Sequence, residues 1–208
     1  MLELTETVGE IGKKINQALA DEINTVIKSK KDRILRRCKD LAASFILSQP
    51  EISSLSEGTP QSLEGQFGLI PGQGDIATSE IVDAVTSSIT IKFVPFDHKF
   101  RGGVDVFFQP DNFANLLDLP SGYTASSKGL LHWMEWLLKR GDEIIIVNYS
   151  YNPQSGLGRS GLGNMMENGV FRVPPSFSGT TTNNFITRAL VGKKQEEAIS
   201  AIFQSELG

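Results

Sequence analysis

One cysteine, Cys38, and two histidines, His98 and His132, are all that 208 residues supply of these types. A single thiol cannot build an intramolecular disulfide framework. With so few imidazoles beside it, no histidine-rich metal centre can form. An excess of positive charge is missing too. Lys plus Arg number 20 against 24 Asp plus Glu, a net −4, which excludes a uniformly basic nucleic-acid coat but leaves room for a local basic patch. Nothing approaches the ~20 apolar residues of a membrane span. The longest apolar cluster, Ile144-Ile145-Ile146-Val147, has the length of a strand. The opening Met1-Leu2-Glu3-Leu4-Thr5-Glu6 carries acids where a secretory signal has a basic region. These features predict a soluble protein made in a reducing cytoplasm, with no membrane partner.

Hydrophobic residues make up 39% of the chain, enough for one packed domain, and 20 Gly with 9 Pro predict substantial loops. Residues 1–50 read as a long helical arm. Val8, Ile11, Ile15, Leu19, Ile23 and Ile27, then Ile34, Cys38, Leu41 and Phe45, recur at helical spacing around a polar interruption at 28–33. Thr7 with Glu10 predicts a capping box and Pro50 a stop. The pattern fits one helix or two collinear ones joined near Ser29. At 1.5 Å per residue its length, roughly 60 Å, exceeds a small domain, so part of it should project or lie along a partner.

Residues 51–77 form an irregular segment rich in Gly, Ser and Pro, in which Leu63, Phe67, Leu69 and Ile70 can pin it to a surface. An α+β domain is expected over 78–208, with a mainly antiparallel sheet, a covering helix and a C-terminal helix. Its elements are a short helix capped at Thr78 or Ser79, and strands over 89–94 and 104–108 with a Gly102-Gly103 turn between them. A helix follows from Lys128 to Arg140, with Leu130, Trp133 and Leu137 on one face and Gly141 closing it. Ile144–Tyr149 reads as a central strand, and residues 170–173 as a short one. A helix capped at Thr180–Thr182 is interrupted at Gly192.

Gly156-x-Gly158-x-x-Gly161 matches the dinucleotide fingerprint by letter, yet too few residues follow for its helix. A Thr-Thr-Thr run stands where a ribose-binding acid belongs. A flexible or interface loop over 154–164, with Arg159 as its charged anchor to a partner or to phosphate, is the preferred reading. Such a loop is expected to order only on assembly. His132 and Glu135 lie one helical turn apart, but Trp136 occupies the position of a second zinc ligand. Cys38 falls in an apolar stripe and reads as a core thiol. No cofactor, metal or catalytic set is expected. Trp133 reads as core, and Trp136 as rim or interface.

Lys28, Lys30, Lys31, Arg33, Arg36, Arg37 and Lys39 place seven positive charges in twelve residues against Asp32 alone. Arg33 and Arg37 share a helix face with Arg36 beside them. Contact with phosphate or an acidic protein surface is one reading, and a solvated face is the other. No aromatic residue interleaves the run, which disfavours base stacking.

The segment from Trp136-Leu137-Leu138-Lys139-Arg140-Gly141 through Ile144–Val147 to Arg172-Val173-Pro174-Pro175-Ser176-Phe177-Ser178-Gly179-Thr180 resembles small virion proteins of long-tailed bacteriophages, the neck or tail-completion proteins. Asn183-Asn184-Phe185-Ile186-Thr187-Arg188-Ala189 is similar to their end. Ser48-Gln49-Pro50-Glu51-Ile52 and Leu63-Glu64-Gly65-Gln66-Phe67-Gly68-Leu69 are similar to their start. The likeness covers most of the chain outside residues 97–126, and its motifs are short. It implies a structural, non-enzymatic head–tail connector protein, a homo-oligomer in a ring of six, located in the virion. DNA would pass through the centre without sequence recognition, and head connector and tail proteins would be the neighbours. Candidate interface residues are Arg33, Arg36, Arg37, Gly156, Gly158, Arg159 and Gly161. A tail terminator capping the tail tube is the alternative of the same class. A nucleic-acid-binding module built on helix 28–39 is the alternative of another.

Overall fold

The computed structural model describes residues 6–208 apart from 111, 127, 128, 142 and 157. The opening through Thr5, Lys128 at the expected start of a helix, and Leu157 in the glycine loop lie outside the described residues.

Helix α1 (Val8–Leu47) runs unbroken for 40 residues. Its capping box is present: the Thr7 hydroxyl accepts from the Glu10 amide at 3.3 Å, and the Glu10 carboxylate accepts from the Thr7 amide at 2.8 Å. No joint forms at Ser29, because Ile27 and Ile34 keep the buried line continuous through the polar interruption. That line is Ala20, Asn24, Ile27, Ile34, Cys38, Ala42 and Ile46. No residue from Val8 to Leu19 is buried, so about 18 Å of helix projects from the body. The helix ends at Leu47, and Gln49 is extended before Pro50, so the expected stop holds while Pro50 also starts α2 (Pro50–Ser54).

The segment expected to be irregular is built into the core. It contains α2, α3 (Leu63–Phe67) and the start of α4 (Gln73–Ser88). Ile52, Leu55, Leu63, Phe67 and Leu69 are all buried, whereas Ile70 is exposed. The residues that read as loop signals are helix boundaries: Ser62 caps α3, Gly68 ends it at φ 62°, and Gly72 opens α4 at φ 84°. Thr78 and Ser79 therefore sit inside α4, not at its cap.

Among the described residues, three antiparallel ribbons replace the single expected sheet. β1 (Thr90–Val94) pairs with β2 (Gly103–Phe107), joined by residues 95–102 and not by a tight turn at Gly102-Gly103. After α5 (Ala114–Leu117) and a 3-10 turn at Pro120–Gly122, β3 (Thr124–Ser126) pairs with β4 (Gly129–Leu131). The expected helix from Lys128 shrinks to α6 (Trp133–Leu138). Leu130 belongs to β4 and is exposed, while Trp133, Met134, Leu137 and Leu138 are buried. β5 (Ile146–Asn152) pairs with β6 (Asn164–Phe171). The Ile144–Val147 run is not central. Its strand belongs to a two-stranded ribbon, and Ile144 and Val147 are 53% and 61% exposed.

The chain closes with α7 (Phe185–Leu190) and α8 (Lys193–Leu207), separated at Gly192 as expected. The cap of α7 is Asn184 and not the threonines. Its fully buried side chain accepts from the Ile186 and Thr187 amides and donates to the Leu138 and Thr180 carbonyls. The architecture is α+β, with α1 as the spine against which α4, α7 and α8 pack. Phe67 stacks on Trp133 at 5.4 Å.

Candidate interaction surfaces

The basic run divides into two sets. Arg33 Nε and Arg37 Nη1 both reach Glu206 Oε1, at 3.0 and 2.8 Å, and the Glu206 side chain is 2% exposed. Arg37 also donates to Ser205 Oγ. Two of the seven charges thus clamp α8 onto α1. Arg36 is exposed and has no ion-pair partner among the described residues. From the sequence, replacing Arg33, Arg36 and Arg37 together by Glu should leave the fold intact. The structure overturns this expectation, because two of the new carboxylates would face a buried one.

The hydrogen bond from Arg37, and then the charge of Arg33, hold the Glu206 carboxyl below its ordinary pKa. A depressed folded-state value adds stability above the unfolded value of about 4.3 and loses it as pH falls through the folded one. Thermal midpoints of the native chain and of Glu206→Gln should therefore differ by a constant amount near neutrality. The gap should close as pH falls below about 4. Asp97, whose carboxyl is held low by Arg101, is common to both chains and cancels. A gap independent of pH would show that Arg33 and Arg37 do not act through the charge of Glu206.

The glycine loop connects β5 to β6 as a hairpin, so the Gly156-x-Gly158-x-x-Gly161 run opens a strand and not a helix. No row of helical amides is there to meet a pyrophosphate. The glycines answer to the turn itself. Gly156 and Gly161 have φ of 62° and 74°, and a Cβ on Gly158 would lie 1.7 Å from the Gly163 carbonyl oxygen.

Arg159, although exposed, folds back onto its own subunit. Its Nε donates to the Gly68 carbonyl at 2.7 Å, Nη1 to the Ala125 carbonyl, and Nη2 to Thr124 Oγ1 and the Phe67 carbonyl. It joins the end of α3 to β3. A cleft of about 460 Å³ lies around it, lined by Phe67, Gly68, Thr124, Ala125 and Leu131. An anion entering there would have to displace four acceptors already on the guanidinium. The Tyr151 hydroxyl passes between Gly65 and Gly163 to donate to the Pro60 carbonyl at 2.8 Å, tying the ribbon down again. The loop expected to order only on assembly is thus fastened within its own subunit.

The remaining sequence candidates sit apart from these surfaces. His132 stacks on Tyr123 at 4.1 Å, and its Nδ1 is 3.9 Å from Glu135 Oε2. Burial pushes its pKa down. Among the described residues no group of three His, Cys, Asp or Glu side chains is placed to hold a metal ion. Cys38 is fully buried, and burial raises its thiol pKa, opposite to the activation that a nucleophile needs. Arg140 lies over the half-buried Trp136 at 5.3 Å. No described helix is long and apolar enough to cross a membrane.

The arm expected to project does so at the start of α1. There Val8, Ile15, Leu19 and Ile23 are 85, 55, 51 and 39% exposed. Their helical spacing was legible, but not that they face away from the core. At the root of the projection, Asn24 holds Phe96 of the 95–102 loop by a reciprocal pair of hydrogen bonds, at 2.9 and 2.7 Å. This fixes where the helix leaves the body.

No family model, curated protein or solved structure matches the chain. The surfaces must be read on their own chemistry.

Proposed function

We propose that this chain is a structural virion protein that forms a ring in the neck of a long-tailed bacteriophage, joining head to tail and letting DNA pass. The observation that carries the reading is the projecting end of α1. A helix that exposes Val8, Ile15 and Leu19 along about 18 Å of projecting length is stabilised by a neighbour and gains nothing in a free monomer. The sequence resemblance to neck and tail-completion proteins supplies the setting. The ring is taken to have six copies, placed between head connector and tail proteins, with DNA in a channel read neither by sequence nor by base stacking.

A nucleic-acid-binding module on residues 28–39 is the weaker reading, because Arg33 and Arg37 are already held by Glu206. Removing the protein from an infection should leave DNA-filled heads and finished tails unjoined in electron micrographs. Joined, infectious particles without it would overturn the proposal. Binding of the purified chain to duplex DNA that weakens steeply with salt would favour the second reading instead.

A further inference from the structure

Helix α1 carries two apolar faces that do not coincide. Its buried line begins at Ala20 and serves its own core. The row of half-buried Ile11 and exposed Ile15, Leu19 and Ile23, with exposed Val8 beside it, is turned roughly 120° around the helix from that line, at 100° per residue. Because α1 is unbroken, this row cannot rotate or fold back onto the body.

A second unfilled apolar surface lies between β2 and α8. It is a groove of about 550 Å³ with an apolar floor of Val104, Val106, Phe108, Ile199 and Phe203, and with Glu196, Ser200 and Gln204 on its exposed side. It runs beside the far half of α1. Ile199 adjoins Leu41 and Phe45, Lys194 lies over the Phe45 ring, and Glu206 meets Arg33 and Arg37. From Leu19 to Leu41 along a continuous helix is about 33 Å, so no chain can fill its own groove with its own row.

We infer that the exposed row of one copy seats in the β2–α8 groove of a second copy, head to tail. The spacing chooses the groove over an identical arm. Ile11, Ile15, Leu19 and Ile23 form an i, i+4 ridge of the kind that packs across another element. The seven-residue pattern of a coiled coil fails at Glu22 and would span only two heptads.

Gly12 fits the same picture. It stands beside the ridge inside a helix, where glycine is unfavourable, and a Cβ there would meet nothing within 4 Å in its own subunit. Close approach by another backbone gives it a purpose. Area points to the same arrangement. An arm face about 24 Å long covers on the order of 500 Å², below the ~800 Å² per partner of a stable pair. Counted over both partners, one arm in one groove covers about 1,000 Å², the lower end of a specific contact, and a copy that both gives an arm and receives one makes two such contacts. A head-to-tail contact of this kind closes into a ring when its rotation permits. Only that last step rests on the neck-ring reading.

Disulfide trapping tests the pairing. The native Cys38 is buried and contributes no background. A chain carrying both Ile15→Cys and Ser200→Cys, oxidised at micromolar concentration, should give a ladder of covalent multimers. The two single-cysteine chains, mixed, should give only 1:1 dimers. Adding Gly12→Leu should cut the yield at least tenfold while the circular dichroism spectrum is unchanged. Homodimers of Ile15→Cys alone would overturn the inference in favour of arm-to-arm pairing. Absence of any ladder would overturn it outright. A ladder without a closed species would uphold the pairing and count against the ring.

Discussion

Gly74→Ala should destabilise the protein by about 3 kcal/mol, although the same change inside a helix ordinarily stabilises by up to ~1 kcal/mol. Gly74 is the second residue of α4, and a Cβ there would lie 1.7 Å from the Leu55 carbonyl oxygen and 3.2 Å from the Ser56 amide. Both neighbours are backbone at the end of α2, so no side chain can swing away. Relief requires the start of α4 to retreat from α2, opening contacts around Leu55, Leu63 and Leu69, all of which are fully buried. The cost of that opening exceeds the propensity gain. Gly12→Ala is the control, because its Cβ enters open space, and it should leave the midpoint unchanged or raise it. Urea denaturation of the two variants beside the native chain decides the matter. Equal, small effects would show that α2 and α4 do not abut as described.

Arg188→Leu should cost about 2–3 kcal/mol, most of it recovered when Glu51→Leu is added. Glu51 lies in the first turn of α2 and is 1% exposed, with one carboxylate oxygen held by Arg188 Nη2 and the other without a partner. Removing Arg188 leaves a negative charge in a site that water hardly reaches. The Arg188 side chain is itself 38% exposed, and solvent screening keeps the loss below the ~3–5 kcal/mol of a fully buried pair. Replacing both residues by apolar ones removes the uncompensated charge. If the double variant were as unstable as the single one, packing of the Arg188 stem and not its charge would be responsible. A double-mutant cycle from chemical denaturation measures this directly.

Local patterns carried well from sequence to structure, and distant pairings did not. The Thr7–Glu10 capping box, the burial of Cys38 and Trp133 and the break at Gly192 depend on residues within one or two turns of each other. Residues 51–77 misled because Ser62, Gly68 and Gly72 serve equally well as loop residues and as the boundaries of α3 and α4. The stretch from Leu130 to Leu138 misled differently: a run of large apolar residues satisfies a strand and a helix in turn, and tertiary packing divides it at His132. The roles of Arg33, Arg37 and Arg159 were out of reach. Glu206 is 169 residues from Arg37, and Gly68 is 91 from Arg159. A cation in a sequence carries no mark of the acceptor it will find at such a distance.

That separation has a kinetic meaning. The spine of the fold precedes nearly everything that covers it, since α1 packs on α4, α7 and α8. Closing a loop of 169 residues between Arg37 and Glu206 costs chain entropy before any contact returns it, and topologies of this kind fold slowly. As the chain leaves the ribosome, α1 can coil at once and α4 can cover part of it, yet its core-facing line is not fully enclosed until the last two helices arrive. During that interval the apolar row at its tip and the core-facing line behind it are open together. Two surfaces that the finished subunit keeps distinct then compete for the same partners, so assembly has to wait for the closing of α8.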